Sequence, residues 1–188
     1  MSSRKAELRN AALAYLLEHG VANVSLRPMA AQLGTSARIL MFHFKSKEGL
    51  LQEVLQELHS HLQSSFLRMS SVKPGGRRDV PLRRFWRWAT RKENLQCLRL
   101  LYEIQIVAVQ NPREYGRYLK KASLDWQTIV FNALSESVRS DTMSTLCIAV
   151  FDGLLLEMIN TGERARLTRA LERFIAMTPV SGKRSNDE

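Results

Sequence analysis

Apolar residues recur every three or four positions through most of the chain, which is the spacing of one face of a helix. A first stripe runs from Leu8 to Leu16 and stops before Gly20, a residue that can close a helix in the left-handed conformation. A longer stripe from Leu50 to Phe66 predicts a helix of about six turns, counting from Ser46 to the end of the pattern near residue 70. Residues 70–79 contain a proline and two glycines, which break the pattern and predict a connecting loop.

Two short helices are predicted between these stripes. Ser25 precedes a first-turn proline and is predicted to cap a helix that runs to Leu33. Gly34 ends that helix, and either Thr35 or Ser36 caps the next one, over 37–43. Two short helices joined by a four-residue turn with glycine predict a helix-turn-helix, whose second helix keeps one side exposed and able to enter a DNA major groove. Ser46 is predicted to cap the long helix that follows.

The rest of the chain is helical in pattern as well. Helices are predicted over 82–92, 95–110, 113–138, 141–160 and 164–178, and no alternation typical of strands occurs. The fold class is therefore all-α, with an N-terminal three-helix helix-turn-helix domain followed by a C-terminal helical domain. The boundaries are predicted at 1–48 for the helix-turn-helix, 49–70 for the connecting long helix, 71–178 for the C-terminal domain and 179–188 for a flexible tail.

The charge narrows the choice of partner. The formal net charge is +10, which favours a polyanion such as nucleic acid or an anionic membrane surface. The excess of basic residues lies in the N-terminal half and is densest over 73–92. This segment contains eight basic residues and one acidic residue, together with Phe85, Trp86 and Trp88. This basic cluster predicts either an additional contact with DNA or an acidic partner, or an ordinary solvated face and loop.

Several function classes are disfavoured. The two cysteines, Cys97 and Cys147, lack the spacing of a zinc site, and neither a metal-ligand motif, a nucleophile elbow nor a glycine-rich phosphate loop occurs. We therefore expect no enzyme activity, metal or cofactor. No run of apolar residues approaches the roughly 20 that cross a bilayer, so a cytoplasmic protein without membrane contact is expected.

The N-terminal residues resemble the tetracycline-repressor (TetR) family. The resemblance covers about residues 5–58 and is carried by Ser25-Leu26-Arg27, Met29-Ala30, Leu33-Gly34, Ser36 and the stretch His43 to Leu51. Farther on, only length, helical content and the stretch Phe151 to Leu155 agree. The resemblance implies a cytoplasmic homodimer that represses transcription from a palindromic double-stranded DNA operator and leaves it when a small-molecule effector binds the C-terminal domain.

Carried over residue by residue, the resemblance implies a set of DNA-contacting positions. It comprises Arg27, Ser36, Ala37, Arg38, Ile39, Met41, His43 and Lys47. Two of them depart from the family, which commonly has a small hydroxyl residue at Ile39 and a phosphate-contacting tyrosine at Met41. We expect Arg38 to contact guanine, and Ile39 could make an apolar contact with a thymine methyl group. His43 fits a structural role as well as a phosphate contact.

The C-terminal half offers candidates for two further sites. An effector pocket, or simply core packing, is predicted for Trp86, Tyr102, Glu103, Ile106, Trp126, Asn132, Cys147 and Phe151. A four-helix dimer interface, or packing within the domain, is predicted for Leu146, Val150, Leu154, Met158, Leu167, Leu171 and Phe174. The competing function is a basic helical module that binds nucleic acid or an anionic membrane without operator specificity, for which only the basic cluster speaks.

Overall fold

The computed structural model describes residues 4–22, 24–70 and 81–178. Over these ranges the chain forms helices and no strand, as the all-α prediction requires. In chain order they are α1 (Arg4–His19), α2 (Leu26–Gln32), α3 (Ala37–Phe44), α4 (Lys47–Ser70), α5 (Pro81–Ala89), α6 (Lys92–Gln110), α7 (Pro112–Ala133), α8 (Asp141–Thr161) and α9 (Arg164–Met177).

Most predicted helix ends have the expected chemistry. The Ser36 hydroxyl accepts from the Ile39 N–H at 3.3 Å, and the Ser46 hydroxyl accepts from the Gly49 N–H at 2.9 Å. Both capping predictions are confirmed, with Ser36 rather than Thr35 as the cap of α3. The prediction for Ser25 is wrong in one respect: its backbone is extended, as at a helix start, but its side chain makes no capping bond.

Three helices in the C-terminal half, α5, α6 and α7, differ in length from their predictions. The break between α5 and α6 falls at Thr90, whose hydroxyl donates to the Trp86 carbonyl at 2.8 Å and satisfies the end of α5. Helix α7 ends at Ala133 instead of continuing to residue 138. There the guanidinium of Arg139 folds back and donates to the Leu134 carbonyl at 2.9 Å, so a turn replaces the last predicted helical turn.

The chain divides into two compact units that are not continuous in sequence. The first contains residues 1–63 and 96–120, and the second contains 64–95 and 121–188. Helices α4, α6 and α7 therefore each contribute to both units. The boundaries predicted from sequence at 48 and 70 divide the chain by segment and stay a prediction, as does the flexible tail, which lies outside the described residues.

In the first unit, α1, α2 and α3 pack with the N-terminal part of α4 and with parts of α6 and α7. Its core is formed by buried apolar side chains, among them Leu8, Leu16, Met29, Leu40, Phe44, Leu50 and Leu55. Ion pairs join α1 to α4, between Lys5 and Glu53 and between Arg9 and Glu57. Tyr115 of α7 is fully buried, and its hydroxyl donates to the Glu48 carbonyl at 2.9 Å, in the first turn of α4.

In the second unit, α5 packs against α9. The Arg83 guanidinium donates to both carboxylate oxygens of Glu172, from Nε at 2.8 Å and from Nη2 at 2.6 Å, and this holds the pKa of Glu172 below its usual value. The indole N–H of Trp86 donates to the Thr168 hydroxyl at 2.9 Å. These bonds fix the face of α5 that points into the unit and remove Arg83 from any free basic surface.

Helix α8 is the one described helix that is long and apolar enough, by length and composition, to cross a membrane, with a mean hydropathy of 1.6. No such run was predicted from the sequence, because the polar residues Ser144, Asp152 and Asn160 interrupt the apolar residues of α8. Two observations argue against a span. The helix packs against α9, and its most buried positions, including Ser144, face the interior of the unit.

Candidate nucleic-acid interface

Helices α2 and α3 form a packed pair that buries one side of α3 and leaves the other open. Leu40 and Phe44 of α3 are buried, as are Met29 and Ala30 of α2. Gly34 lies in the turn between them with a φ of +64°, a conformation that favours glycine over other residues. The turn thus positions α3 as a short helix that is packed on one side and exposed to solvent on the other.

The outer face of α3 combines one arginine with three large apolar side chains. Arg38 is exposed, and the exposed fractions are 42% for Ile39, 42% for Met41 and 71% for Phe42. Phe42 was not among the DNA-contacting positions predicted from sequence. Its place could have been found from spacing, because residues 38, 42 and 45 recur at four- and three-residue intervals along one side of a helix.

Lys45 closes α3 and contacts Phe42. It has a φ of +69°, which is unusual for a residue other than glycine. Its ammonium donates to the Phe42 carbonyl at 3.0 Å and lies 5.4 Å from the centre of the Phe42 ring. A positive charge therefore lies next to the most exposed apolar ring of the helix. Lys45, like Phe42, was not among the DNA-contacting positions predicted from sequence.

The start of α4 lies directly after this end of α3. Lys47 is exposed at the first position of α4, where backbone N–H groups are free to bind an anion. Gly49 is packed so closely that a Cβ on it would lie 2.2 Å from the Phe44 carbonyl oxygen. This contact fixes the first turn of α4, and with it Lys47, relative to α3.

The remaining predicted positions have different surroundings. Arg27 is exposed in the first turn of α2. Ser36 is exposed but is already used as the cap of α3, and Ala37 is half-buried. His43 is half-buried, with its ring 5.2 Å from that of Phe42 and 6.3 Å from that of Phe44, which suits a structural role at the edge of the exposed face.

Comparison with known proteins agrees with this geometry. Residues 8–54 match the model of the family described as bacterial regulatory proteins, tetR family. These residues include α2, the turn, α3 and the start of α4. This part of the chain is therefore similar to the N-terminal domain of the TetR family. The match supports the prediction of a DNA-binding transcription regulator with a helix-turn-helix.

Solved structures share the fold over nearly the whole length of this chain. A transcriptional regulator from Rhodococcus sp. Rha1 is 19% identical, with a TM-score of 0.76 over 94% of this chain and 96% of its own. A protein of Pseudomonas aeruginosa PAO1, also described as a transcriptional regulator, is 21% identical, with a TM-score of 0.74 over 96% and 94%. The multidrug binding protein EbrR, complexed with imidazole, is 20% identical, with a TM-score of 0.66 over 92% and 95%. No curated protein matches the sequence significantly.

The predicted effector residues fall in both units. Tyr102, Glu103 and Ile106 belong to the first unit. There the Glu103 carboxylate accepts from the Val21 N–H at 3.1 Å and pairs with Arg99 at 3.3 Å, so this acid holds the end of α1.

In the second unit, aromatic rings form a cluster with ring centres 4.6 to 6.4 Å apart. Three predicted residues, Trp86, Trp126 and Phe151, belong to this aromatic cluster; its other members are Phe66, Phe85 and Trp88. Cys147 is fully buried, and burial raises the pKa of its thiol to about 11, which keeps it protonated. Asn132 is exposed.

A surface concavity of about 320 Å³ lies elsewhere in the second unit. It is lined by Leu124, Gln127, Thr128, Phe131 and Asp141. Asn132, on the same helix, is not among the lining residues. Within the described residues, no group of three or more His, Cys, Asp and Glu side chains comes close enough to hold a metal ion.

The residues predicted for a dimer interface also divide. Leu167 and Leu171 of α9 are buried, at 2% and 1% exposure, so their side chains serve the core of their own unit. Leu146 of α8 is exposed. The other predicted residues are half-buried, namely Val150, Leu154, Met158 and Phe174.

The basic cluster is only partly described. Lys73, Arg77 and Arg78 lie outside the described residues. Of the remainder, Arg83 is paired with Glu172, Arg84 is half-buried, and Arg87, Arg91 and Lys92 are exposed.

Proposed function

We propose that the protein is a cytoplasmic transcriptional repressor that binds a palindromic operator as a homodimer and leaves it when a small-molecule effector binds. The observation that carries this proposal is the exposed face of α3, bordered by Arg38, Lys45 and Lys47, on a helix pair that is otherwise well packed. An α-helix fits the width of the major groove, and a two-fold mate would present a second α3 about one helical turn of DNA away.

Each basic side chain has a distinct role in this proposal. Arg38 contacts a guanine, because its planar guanidinium matches the O6 and N7 atoms of that base. Lys47 and the N-terminal amides of α4 bind a backbone phosphate, and Arg27 binds another. Phosphate contacts set the register of the protein on DNA, whereas the base contact of Arg38 supplies sequence specificity.

The proposed dimer contact is the exposed face of α8. Leu146 and Leu156 are exposed to 44% and 49% on this face, and the small residues Ala149 and Gly153 lie between them. A Cβ on Gly153 would meet nothing within 4 Å in its own chain. A mate could approach closely along this line and cover the exposed leucines, with half-buried Val150, Leu154 and Met158 at the border.

The proposed effector is a planar, apolar or cationic organic compound that binds in the second unit. EbrR has been solved with ethidium and with malachite green, which are molecules of this kind. In the present chain, the aromatic cluster supplies the type of side chain that binds flat rings and cations. The role proposed for this unit is binding of a ligand, without catalysis.

Charge reversal tests the operator proposal against nonspecific binding. An operator would first be selected from random duplexes with the full-length protein, and affinities would then be measured by fluorescence anisotropy over a range of salt concentrations. Arg38→Glu and Lys47→Glu should each abolish specific binding, since a lost guanine contact alone costs about 1–3 kcal/mol and the new acid adds repulsion.

Arg84→Glu and Arg87→Glu change the net charge by the same amount and serve as matched controls. They should weaken binding to all duplexes by a similar small factor and reduce the salt dependence. Equal losses from both pairs of variants would contradict the proposal and favour a nonspecific basic module.

A further inference from the structure

The exposed apolar side chains of α3 are more than folding requires. Leu40 and Phe44 already supply the buried face of this eight-residue helix. Phe42 stands opposite Leu40 and is exposed to 71%, while Ile39 and Met41 flank it, each exposed to 42%. Single exposed apolar residues are common, but Ile39 and Phe42 are surface neighbours at a three-residue spacing, and Met41 lies on the other flank of Phe42. The three side chains together form an apolar patch centred on Phe42, and such patches mark interaction surfaces.

The surroundings of the patch indicate a polyanion with apolar features. Arg38 precedes the patch, and Lys45 and Lys47 follow it, all three exposed. The Lys45 ammonium is anchored to the Phe42 carbonyl and lies near its ring. A partner that covers the patch must therefore bring negative charge to its edges and an apolar group to its centre.

We propose that Ile39, Met41 and Phe42 recognise the C5-methyl groups of thymines in the operator. This inference rests on the proposed function, since it requires α3 to lie in the major groove. The side chains of Ile39 and Phe42 carry neither donor nor acceptor, and the thioether of Met41 is only a weak acceptor. Among the base edges in the major groove, thymine alone presents a methyl group, so apolar contact selects A·T pairs.

The spacing of the side chains fits neighbouring base pairs. Ile39 and Phe42 are three residues apart, which corresponds to about 4.5 Å along the helix axis at 1.5 Å per residue. This rise is between one and two base-pair steps of DNA, each about 3.4 Å. Arg38 lies next to Ile39, so the half-site should contain thymines adjacent to the guanine that Arg38 contacts.

Replacing thymine by deoxyuridine removes the methyl group and keeps the base pairing, which gives a direct test. The full-length protein is titrated with the selected operator and with the same duplex carrying deoxyuridine at one half-site thymine at a time. Each contacted methyl should contribute about fourfold in affinity, as expected for burial of one methylene-sized group. Contacted positions should therefore stand out from the other thymines.

Variants identify the side chain that makes each contact. Ile39→Ala, Met41→Ala and Phe42→Ala should each bring the thymine-to-uracil ratio close to one at its own position, while binding to the rest of the operator remains. Leu67→Ala removes an exposed leucine from α4 and should leave every ratio unchanged. Since the three side chains of the patch are exposed, their truncation should not impair folding.

Each alternative outcome has a definite meaning. If the thymine and uracil duplexes bind equally, or if the uracil effect persists in all three variants and thus reflects DNA shape, the inference is overturned while the proposed function stands. If no duplex binds specifically, the proposed function fails together with it. If the patch variants lose binding to phosphatidylglycerol vesicles and the uracil substitutions have no effect, the patch faces a membrane and the inference is wrong.

Discussion

At the scale of single residues, the junction of α3 and α4 is held by backbone approach. The Ser46 N–H donates to the Phe44 carbonyl at 2.9 Å, and the Ser46 hydroxyl accepts from the Gly49 N–H. Gly49 leaves that carbonyl the room it needs. Because Lys47 lies between these residues, its position depends on a contact that only glycine permits.

Gly49→Ala should destabilise the first unit and reduce DNA binding. The added Cβ would come within 2.2 Å of the Phe44 carbonyl oxygen, so the backbone of the junction must shift. We expect a loss of about 1–3 kcal/mol, typical of overpacking, measured by urea denaturation. Gly116→Ala is the matched control: its Cβ meets nothing within 4 Å, and in a helix alanine should stabilise by up to about 1 kcal/mol. An unchanged Gly49→Ala variant would contradict the close contact.

Residue types explain which positions of the site were predictable. Arg38 and Lys47 were found because the surrounding stretch matches a family pattern, and the cap by Ser46 follows from its hydroxyl before a helical stripe. Phe42 was missed because an aromatic residue in an apolar stretch reads as core. Only its position on the helix, opposite to Leu40, shows that it is exposed.

At the scale of secondary-structure elements, two tyrosines of α7 attach this helix to α4. Tyr115 donates to the Glu48 carbonyl at 2.9 Å, and Tyr118 donates to the Leu55 carbonyl at 3.3 Å. Burial, with smaller contributions from Glu48 and Glu114, raises the pKa of Tyr115 to about 12. The neutral phenol is thus the form that the folded chain holds.

This pKa predicts a loss of stability in alkali. An unfolded tyrosine ionises near pH 10, whereas folded Tyr115 keeps its proton up to about pH 12. Between these values the folded state binds more protons, so its stability falls as pH rises, by at most about 1.4 kcal/mol per pH unit. The free energy of unfolding, measured by denaturation between pH 9 and 11, should show this decline. The decline should be smaller in Tyr115→Phe. A decline that is equally steep in Tyr115→Phe would exclude Tyr115 as its source.

Helix ends were predictable where a local residue decides them. Gly20 has a positive φ at the end of α1, as its position after the first apolar stripe predicted, and Gly162 has one at the end of α8. The end of α7 was missed because the apolar spacing continues to Val138, while the Arg139 side chain satisfies the Leu134 carbonyl from beyond the helix. That bond joins the turn to the helix end and leaves no mark in the apolar pattern.

At the scale of the whole molecule, the sequence gives the helices but not the side that each one buries against its neighbours. Leu167 and Leu171 belong to an apolar stripe that fits an interface as well as a core, and the structure places both in the core. Leu156, which was not predicted, is exposed to 49% on α8. The distinction depends on the packing of α8 against α9, which a single-helix pattern does not contain.

Substitutions on α8 test the proposed dimer. Leu146→Glu and Leu156→Glu should each lower the mass observed by light scattering from dimer to monomer, because a buried unpaired carboxylate would face the mate. Operator affinity should fall in parallel, since two half-sites would no longer be bound together. Leu124→Glu places the same charge on a somewhat more exposed leucine of α7 and should leave the mass unchanged. A dimeric mass for both α8 variants would rule out this face.

The discontinuous first unit also affects how the protein is made. Glu103 accepts a hydrogen bond from Val21, 82 positions earlier in the chain, and Tyr115 donates one to Glu48, 67 positions earlier. Contacts that complete this unit therefore join distant parts of the sequence. Translation delivers these partners in order, at about 5–20 residues per second. The nascent chain therefore carries an unfinished DNA-binding region until residue 120 has left the ribosome, and a fragment ending at residue 70 would lack part of its own support.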